Sequence, residues 1–452
     1  MDAIGKRAPM FTNKALVAMF IPVMLDSLLS ILAGMVDSAM VSTAGEAAVS
    51  AVSLVDAINV LCITVFSGMA NGGGVVLSQY VGHGDKKQAR STANQLLYLA
   101  VSIALVFTVA LSLFRVQVLR LIYGSIEQDV FENAKVYFLI TILGYPFSAI
   151  GAAATAVLRS TGKTRQSAYC TIAFNVFNVI GNSVLIYGLK MGVAGAAIAT
   201  TVARMAYAGM GLLMAHNKQL PAYFENILKF RLDFAIIRRC VGIGSASAME
   251  NGLFYVGRLL ISGLISTFGT VAITAYSVSN TINNIGWVIV SAFGVTLMPV
   301  VGQCVGAGEP EQAKGYTKKL LTAATVTTVV LFSSLFLLRN VLVRIYQLDA
   351  ETLEACGYYT GVFALFSIAG LYSFCFTPLS AFRAAGDIKY AVTLSIITMF
   401  AFRVALAYAL NWVFPDLGLM CVCIGMGVDW LFRAVCNIIR FRSGKWLHKR
   451  LI

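Results

Sequence analysis

Apolar stretches of about 20 residues or more recur along this 452-residue chain, each long enough to cross a hydrocarbon core of roughly 30 Å as a helix. The spans expected from them are 14–42, 49–80, 92–121, 131–158, 165–188, 192–215, 236–266, 270–303, 315–338, 352–382, 390–413 and 417–439. Charged residues make up only 12% of the chain, where a soluble protein carries about 25%. Too little charge is present to cover a soluble fold of this size, so the solvent for most of the surface is lipid. The expected fold is an all-α membrane protein of twelve transmembrane helices.

The net charge of +14 raises the possibility of a nucleic-acid partner, and its distribution argues against one. When the 34 Lys and Arg are assigned to alternate sides of the spans, 24 fall on one side and 6 on the other. Arg204, Arg258, Arg403 and Arg433 remain inside spans. The crowded side includes Lys6, Arg7, Lys229 and Arg450 as well as Lys86, Lys87, Arg159 and Arg383. This is the positive-inside bias, which puts both termini in the cytoplasm and makes the number of spans even. Asp26 and Asp37 in the first apolar run, with no small-residue cleavage site after it, speak against a cleaved signal. The nine cysteines are scattered without a CxxC pair and read as small core residues.

Three blocks repeat at a fixed offset of 224 residues. Residues 42–53 (STAGEAAVSAVS) match 266–277 (STFGTVAITAYS), and 78–90 (SQYVGHGDKKQAR) match 302–314 (GQCVGAGEPEQAK). Residues 158–164 (LRSTGKT) match 382–388 (FRAAGDI). Matching basic loops lie on the same side in both copies, so the repeats are parallel and each holds six spans. This implies an N-terminal lobe at 1–215, a cytoplasmic linker at 216–235 and a C-terminal lobe at 236–452. The lobes are expected to be related by a pseudo-two-fold axis along the membrane normal, with a binding site at the repeat interface, as in secondary transporters.

Ionisable residues inside spans cost about 2.5 kcal/mol or more and face a cavity or a partner. The acids here are Asp26, Asp37, Asp56, Glu250 and Asp429. Asp26 and Glu250 are repeat equivalents, and Asp26 and Asp37, eleven residues apart, share one helix face. Pro22 is expected to kink the first helix. Thr171, Asn175, Asn178 and Asn182 form one polar stripe on the fifth span, and Asp37, Asn182 and Thr200 share a depth. A carboxylate ringed by amide and hydroxyl oxygens suits a hard monovalent cation, or a proton if the carboxylate titrates. Asn71-Gly72-Gly73-Gly74 and Gly195-Ala196-Ala197 read as close helix packing. No GxxxxGK phosphate loop, His-based catalytic set or DDxxD pattern occurs, which argues against an ATP site and against a prenyltransferase-type membrane enzyme.

The run 35–41 (MVDSAMV) with 45–48 (GEAA) resembles the first-helix signature of the multidrug and toxic compound extrusion (MATE) family. So do 81–84 (VGHG), 159–164 (RSTGKT) and 192–200 (GVAGAAIAT). The resemblance implies a two-lobed bacterial inner-membrane exporter, not an enzyme and without a cofactor. It would move amphiphilic, often cationic organic compounds by sodium- or proton-coupled antiport. By the same resemblance Asp37, Asn178, Asn182 and Thr200 match the family's cation-binding positions, although Asn182 stands where many members carry a second aspartate. Glu250 matches an acid of some sodium-coupled members, whose tenth-helix aspartate has no counterpart here. Asp26, Glu250 and Asn175 are expected to line the substrate cavity. The chain is expected to act as a monomer in contact with membrane lipid and without nucleic acid. A lipid-linked oligosaccharide flippase of the same superfamily is the alternative reading.

Overall fold

The computed structural model describes residues 8–124, 127–227, 231–369, 372–449 and 451; Lys6, Arg7, Lys229 and Arg450 of the basic count lie outside the described residues. The spans of the described chain are all helical, the form in which a backbone in lipid satisfies its own hydrogen bonds. It divides into two compact units, Thr12–Ala248 and Met249–Leu451, the second including the residues before Thr12. The division falls inside a helix, beyond the linker expected at 216–235.

The N-terminal unit begins with α1 (Asn13–Ser42), α2 (Glu46–His83) and α3 (Lys86–Tyr123). α1 is one 30-residue helix with Pro22 inside it, capped by the Thr12 side chain accepting from the Ala15 N–H at 3.2 Å. The fourth span is two helices, α4 (Gln128–Leu143) and α5 (Tyr145–Ser160), meeting at 43°. The bend follows from Gly144 and Pro146. Pro146 has no N–H for the Ile142 carbonyl, and the Thr108 hydroxyl donates to that oxygen at 3.3 Å instead. The Arg204 Nη1 likewise donates to the Thr141 carbonyl at 2.7 Å. Gly144 makes room for it, since a Cβ there would lie 2.9 Å from the Arg204 Cδ.

The fifth span is α6 (Thr164–Asn182) continued by a π-helical turn at Ser183–Gly188, and the sixth is α7 (Gly192–Ala215). Small residues set the spacing. A Cβ on Gly72 would lie 2.5 Å from the Gly244 backbone nitrogen, and one on Gly73 would lie 2.4 Å from a Leu96 methyl. The Ser160 hydroxyl donates to the Gly74 carbonyl at 2.8 Å. The glycine run is therefore a packing surface for three neighbours, as small residues are in membrane helices generally.

The segment after α7 is pinned to α3. Asn94 donates to the Glu225 carbonyl at 2.6 Å and accepts from the Glu225 N–H at 3.2 Å, while Gln95 donates to the Arg231 carbonyl at 2.6 Å. The Arg90 guanidinium stacks on Tyr223, 4.6 Å from the ring centre.

The second unit repeats the plan. α8 (Phe234–Ser266) crosses the boundary and is followed by α9 (Thr270–Gly306) and α10 (Pro310–Val343). The fourth span is again a pair, α11 (Ala350–Ala369) and α12 (Tyr372–Ala384). The fifth is α13 (Ile388–Thr398), a π-helical turn at Met399–Ala405 and α14 (Leu406–Val413); α15 (Met420–Ser443) is the sixth. Phe332, Phe363, Met426 and Trp430 centre its core.

Nine helices among the described residues are long and apolar enough to cross a membrane, and the two bent pairs bring the spans to eleven. α8 is the twelfth. Its 33 residues are ample in length, but Glu250, Asn251 and Arg258 dilute its apolar character. The Gly72 contact yields a test. Gly72→Val should lower the thermal unfolding midpoint in detergent by several degrees because backbone, not a flexible side chain, stands in its way. Gly34→Ala, with open space around it, should leave the midpoint unchanged.

Candidate cation site and polar networks

The N-terminal unit gathers the four residues expected to hold a cation. Asp37 comes from α1, Asn178 and Asn182 from adjacent turns of α6, and Thr200 from α7. The Asn182 amide donates to an Asp37 carboxylate oxygen and lies 3.4 Å from the Asn178 side-chain oxygen. The Asn178 amide donates to the Thr200 hydroxyl at 3.3 Å. Residues far apart in the chain thus form one row of polar groups.

Two local features place this row. Gly181, beside Asn182, meets Ala199, beside Thr200, so closely that a Cβ on the glycine would lie 2.9 Å from the alanine methyl. The π-helical turn starts immediately after Asn182, and its looser winding carries the Leu189 N–H to the Val184 carbonyl, five residues back, at 2.9 Å. Asn182 is fully buried, and its side-chain oxygen has no hydrogen-bond partner in the protein. A buried acceptor of this kind calls for water or a ligand. The remaining donor set is one carboxylate, amide oxygens and a hydroxyl, a composition for hard cations rather than soft metals. Among the described residues no group of three or more His, Cys, Asp and Glu is gathered that could hold a metal ion.

Asp56, counted among the intramembrane acids but given no role by the sequence, belongs to the same neighbourhood. Its charge is close enough to act on Asp37. Its carboxylate accepts from the Asn59 amide at 3.1 Å and from the Tyr137 hydroxyl at 3.2 Å. The Tyr145 hydroxyl donates to the Asn59 oxygen at 2.8 Å, and Arg204 lies over the Tyr145 ring. The signal for this network was the Asp-x-x-Asn spacing on one helix face. Its tyrosine and arginine partners, more than eighty residues away, left no pattern.

The three expected cavity residues fare differently. Asp26 lies near the Thr171 hydroxyl and the charge of Arg159, and one of its buried oxygens has no hydrogen-bond partner. The Asn175 amide nitrogen is also buried without a partner. Both leave unspent hydrogen-bonding capacity inside the lobe. Glu250 does not, because the Arg383 Nη2 donates to both its oxygens, at 2.6 and 2.7 Å.

Arg159 and Arg383 are themselves repeat equivalents, so the two lobes carry the same acid–arginine couple in two states. The reason lies one turn away. Arg159 donates to the Thr155 carbonyl at 3.2 Å and to its hydroxyl at 3.1 Å, which holds the guanidinium back. The equivalent of Thr155 is Leu379, which offers no hydroxyl, and glutamate reaches further than aspartate.

The unassigned charges of the second unit form a closed cluster. Asp429 is wholly buried between Arg403 at 2.7 Å and Arg433 at 2.8 Å. Arg433 also donates to the Thr398 hydroxyl at 2.6 Å, and Arg403 lies over the rings of Phe254 and Trp430. Arg258 is exposed on α8 and takes no part. Removing the shared anion strands two buried cations, so Asp429→Asn should cost about 3–5 kcal/mol. Thermal and denaturant unfolding in detergent measure this, with exposed Glu132→Gln as the variant expected to cost under about 1 kcal/mol.

Comparison with known proteins is consistent with this architecture. The MatE family pattern matches residues 22–184 and 246–409, one match in each half. The chain is 25% identical over 440 residues to the probable multidrug resistance protein NorM of Thermotoga maritima, covering 96% of this chain and 93% of that one. It is 25% identical over 441 residues to multidrug and toxin extrusion protein 2 of Mus musculus, covering 96% and 74%. Its fold superposes on the outward-facing structure of a multidrug resistance MATE family transporter with a TM-score of 0.88 at 19% identity, over 96% of both chains.

Proposed function

Because the chain belongs to the MatE family, a family of membrane transporters and not of enzymes, we propose that it is a cation-coupled antiporter that exports amphiphilic, often cationic organic compounds by alternating access. The observation that carries the reading is the Asp37–Asn182–Asn178–Thr200 row with its one unpartnered buried oxygen. A sodium ion would take its ligands from Asp37, Asn182 and the neighbouring oxygens; a proton would be carried on Asp37 itself. The names of the relatives, multidrug resistance and toxin extrusion proteins, support the class of substrate.

Coupling requires that the ion bind one conformation better than the other, since a ligand of equal affinity for both shifts nothing. α1 supplies the only carboxylate of the row, so movement of α1 relative to α6 and α7 makes or breaks the site. Asp26 and Asn175 would meet a cationic or polar substrate group, a reading supported by their unspent hydrogen-bonding capacity in the same lobe. Glu250 is held by Arg383 and contributes to substrate only when that pair opens. The protein is read as a monomer in the bacterial inner membrane with both termini cytoplasmic, its lobes joined through residues 216–235.

Purified protein in liposomes loaded with a fluorescent organic cation, with sodium and pH gradients imposed separately, tests the proposal. Efflux should follow one gradient and not the other. Asp37→Asn should abolish that dependence, and Asn182→Ala should raise the ion concentration for half-maximal efflux at least tenfold. Folded protein that moves no tested cation under either gradient, or Asp37→Asn protein that stays fully coupled, would overturn the assignment.

A further inference from the structure

At the end of the second unit away from its basic loops, residues of α10 and α11 line a cavity of about 580 Å³. Its walls change character with depth. Arg344, just past the end of α10, and Glu354, in the second turn of α11, line the mouth; Tyr358 lies one turn further in, and Phe336 and Leu365 line the inner part. From Glu354 to Leu365 is eleven residues, or about 16 Å of helix. That matches one leaflet of a hydrocarbon core roughly 30 Å thick. The cavity is therefore graded along the membrane normal as a lipid is, charged at one end and apolar at the other.

The charges at the mouth are of both signs. Arg339 lies against the Phe336 ring, 4.4 Å from its centre, and donates one Nη1 bond to the Phe336 carbonyl at 2.6 Å, which fixes the guanidinium and leaves its other donors for a ligand. The Arg344 and Glu354 side chains make no ion pair among the described residues. The nearby Asp349 is committed to capping α11. The Thr352 hydroxyl and N–H donate to it at 2.9 and 3.3 Å and hold its carboxyl below the usual carboxylate range. The Arg344 guanidinium and the Glu354 carboxylate thus remain at the mouth, at the depth of lipid headgroups, while the Arg339 guanidinium is held further in, beside Phe336 and Gly361. Gly361 lets α11 approach the Arg339 stem closely, because a Cβ there would lie 2.9 Å from the Arg339 Cδ and push it out of place.

We propose that this groove is a binding site for one membrane phospholipid whose headgroup carries both a phosphate and a primary ammonium. Arg344 takes the phosphate, Glu354 accepts from the ammonium, Arg339, held further in, donates to an ester carbonyl oxygen, and an acyl chain runs inward past Tyr358 toward Phe336 and Leu365. A planar guanidinium matches phosphate oxygens two at a time, and a primary ammonium donates hydrogen bonds that a quaternary one cannot. Tyrosine at the boundary presents its ring to the chain and its hydroxyl to the headgroup. Nothing in this site overlaps the Asp37 row, which lies in the other unit.

Full-length protein in detergent tests it, with lipid binding read by native mass spectrometry and by thermal shift. The probes are short-chain phosphatidylethanolamine, phosphatidylcholine, phosphatidylglycerol and soluble phosphoethanolamine. Phosphatidylethanolamine should bind at least tenfold more tightly than the other two lipids. The Arg339→Gln/Arg344→Gln pair should lose that binding, Gly361→Leu should weaken it, and Glu354→Gln should erase the preference over phosphatidylcholine. An unchanged lipid-free unfolding midpoint shows that each variant is folded. Equal binding of all three lipids, or undiminished binding in the folded arginine variant, would overturn the proposal. So would equal stabilisation by soluble phosphoethanolamine, which would mark a headgroup-sized anion site without the acyl groove.

Discussion

A charge placed in lipid must be answered, and the answers available to this chain organise much of its interior. Water is scarce at mid-depth, so each buried acid or arginine finds a protein partner or faces a space where a ligand or water can enter. Asp429 has two arginines, Glu250 has one, and Asp56 has an amide and a tyrosine hydroxyl. Asp37 has the Asn182 amide, and Asp26 keeps a buried oxygen without any partner. The two intramembrane acids of the second unit, Glu250 and Asp429, are thus paired with arginines, while those of the first are answered mostly by neutral groups. Charge that is already paired is poor material for reversible ion binding. The first unit retains the capacity for it.

The repeat sharpens this contrast because it holds position constant and varies only chemistry. Asp26 with Arg159 and Glu250 with Arg383 occupy equivalent places, yet only the second couple closes into an ion pair. Thr155 detains Arg159 through its hydroxyl and carbonyl, and Leu379 at the equivalent position has no hydroxyl to do the same. That side chain, a turn from the arginine, and the longer reach of glutamate over aspartate together separate the two couples.

Small residues serve as the mechanical counterpart of these electrostatics. Where no large apolar side chain drives helices together in lipid, close approach supplies the dispersion contacts instead. Gly72 against Gly244 and Gly181 against Ala199 are such approaches. The second one also brings Asn182 within reach of its partners, so packing and site geometry share a cause. Breaks in the helices play a similar part. Pro146 empties one carbonyl, and the hydroxyl of Thr108 and the guanidinium of Arg204 are drawn into the gap at Gly144.

The number of spans, their parallel duplication and the stripe Thr171–Asn182 were legible in the sequence because they are written in local period and fixed offset. Hydropathy needs no partner to be read, and a repeat needs only itself. The membership of the Asp37 row was legible too, since shared depth groups Asp37, Asn182 and Thr200 and the family resemblance adds Asn178. What the sequence left open were pairings across helices. Glu250 reads as an available acid, and Arg383, 133 residues on, holds it; Asp429, Arg403 and Arg433 read as charges for interfacial or inter-helix ion pairs without named partners, and they are one cluster. The bend at Gly144 and the π-helical turn after Asn182 were likewise unmarked. Sequence fixes which polar groups must be answered, because the cost of burying them is intrinsic to each residue. Only the tertiary structure decides which group answers which, because that depends on a few ångströms between helices that no local pattern encodes.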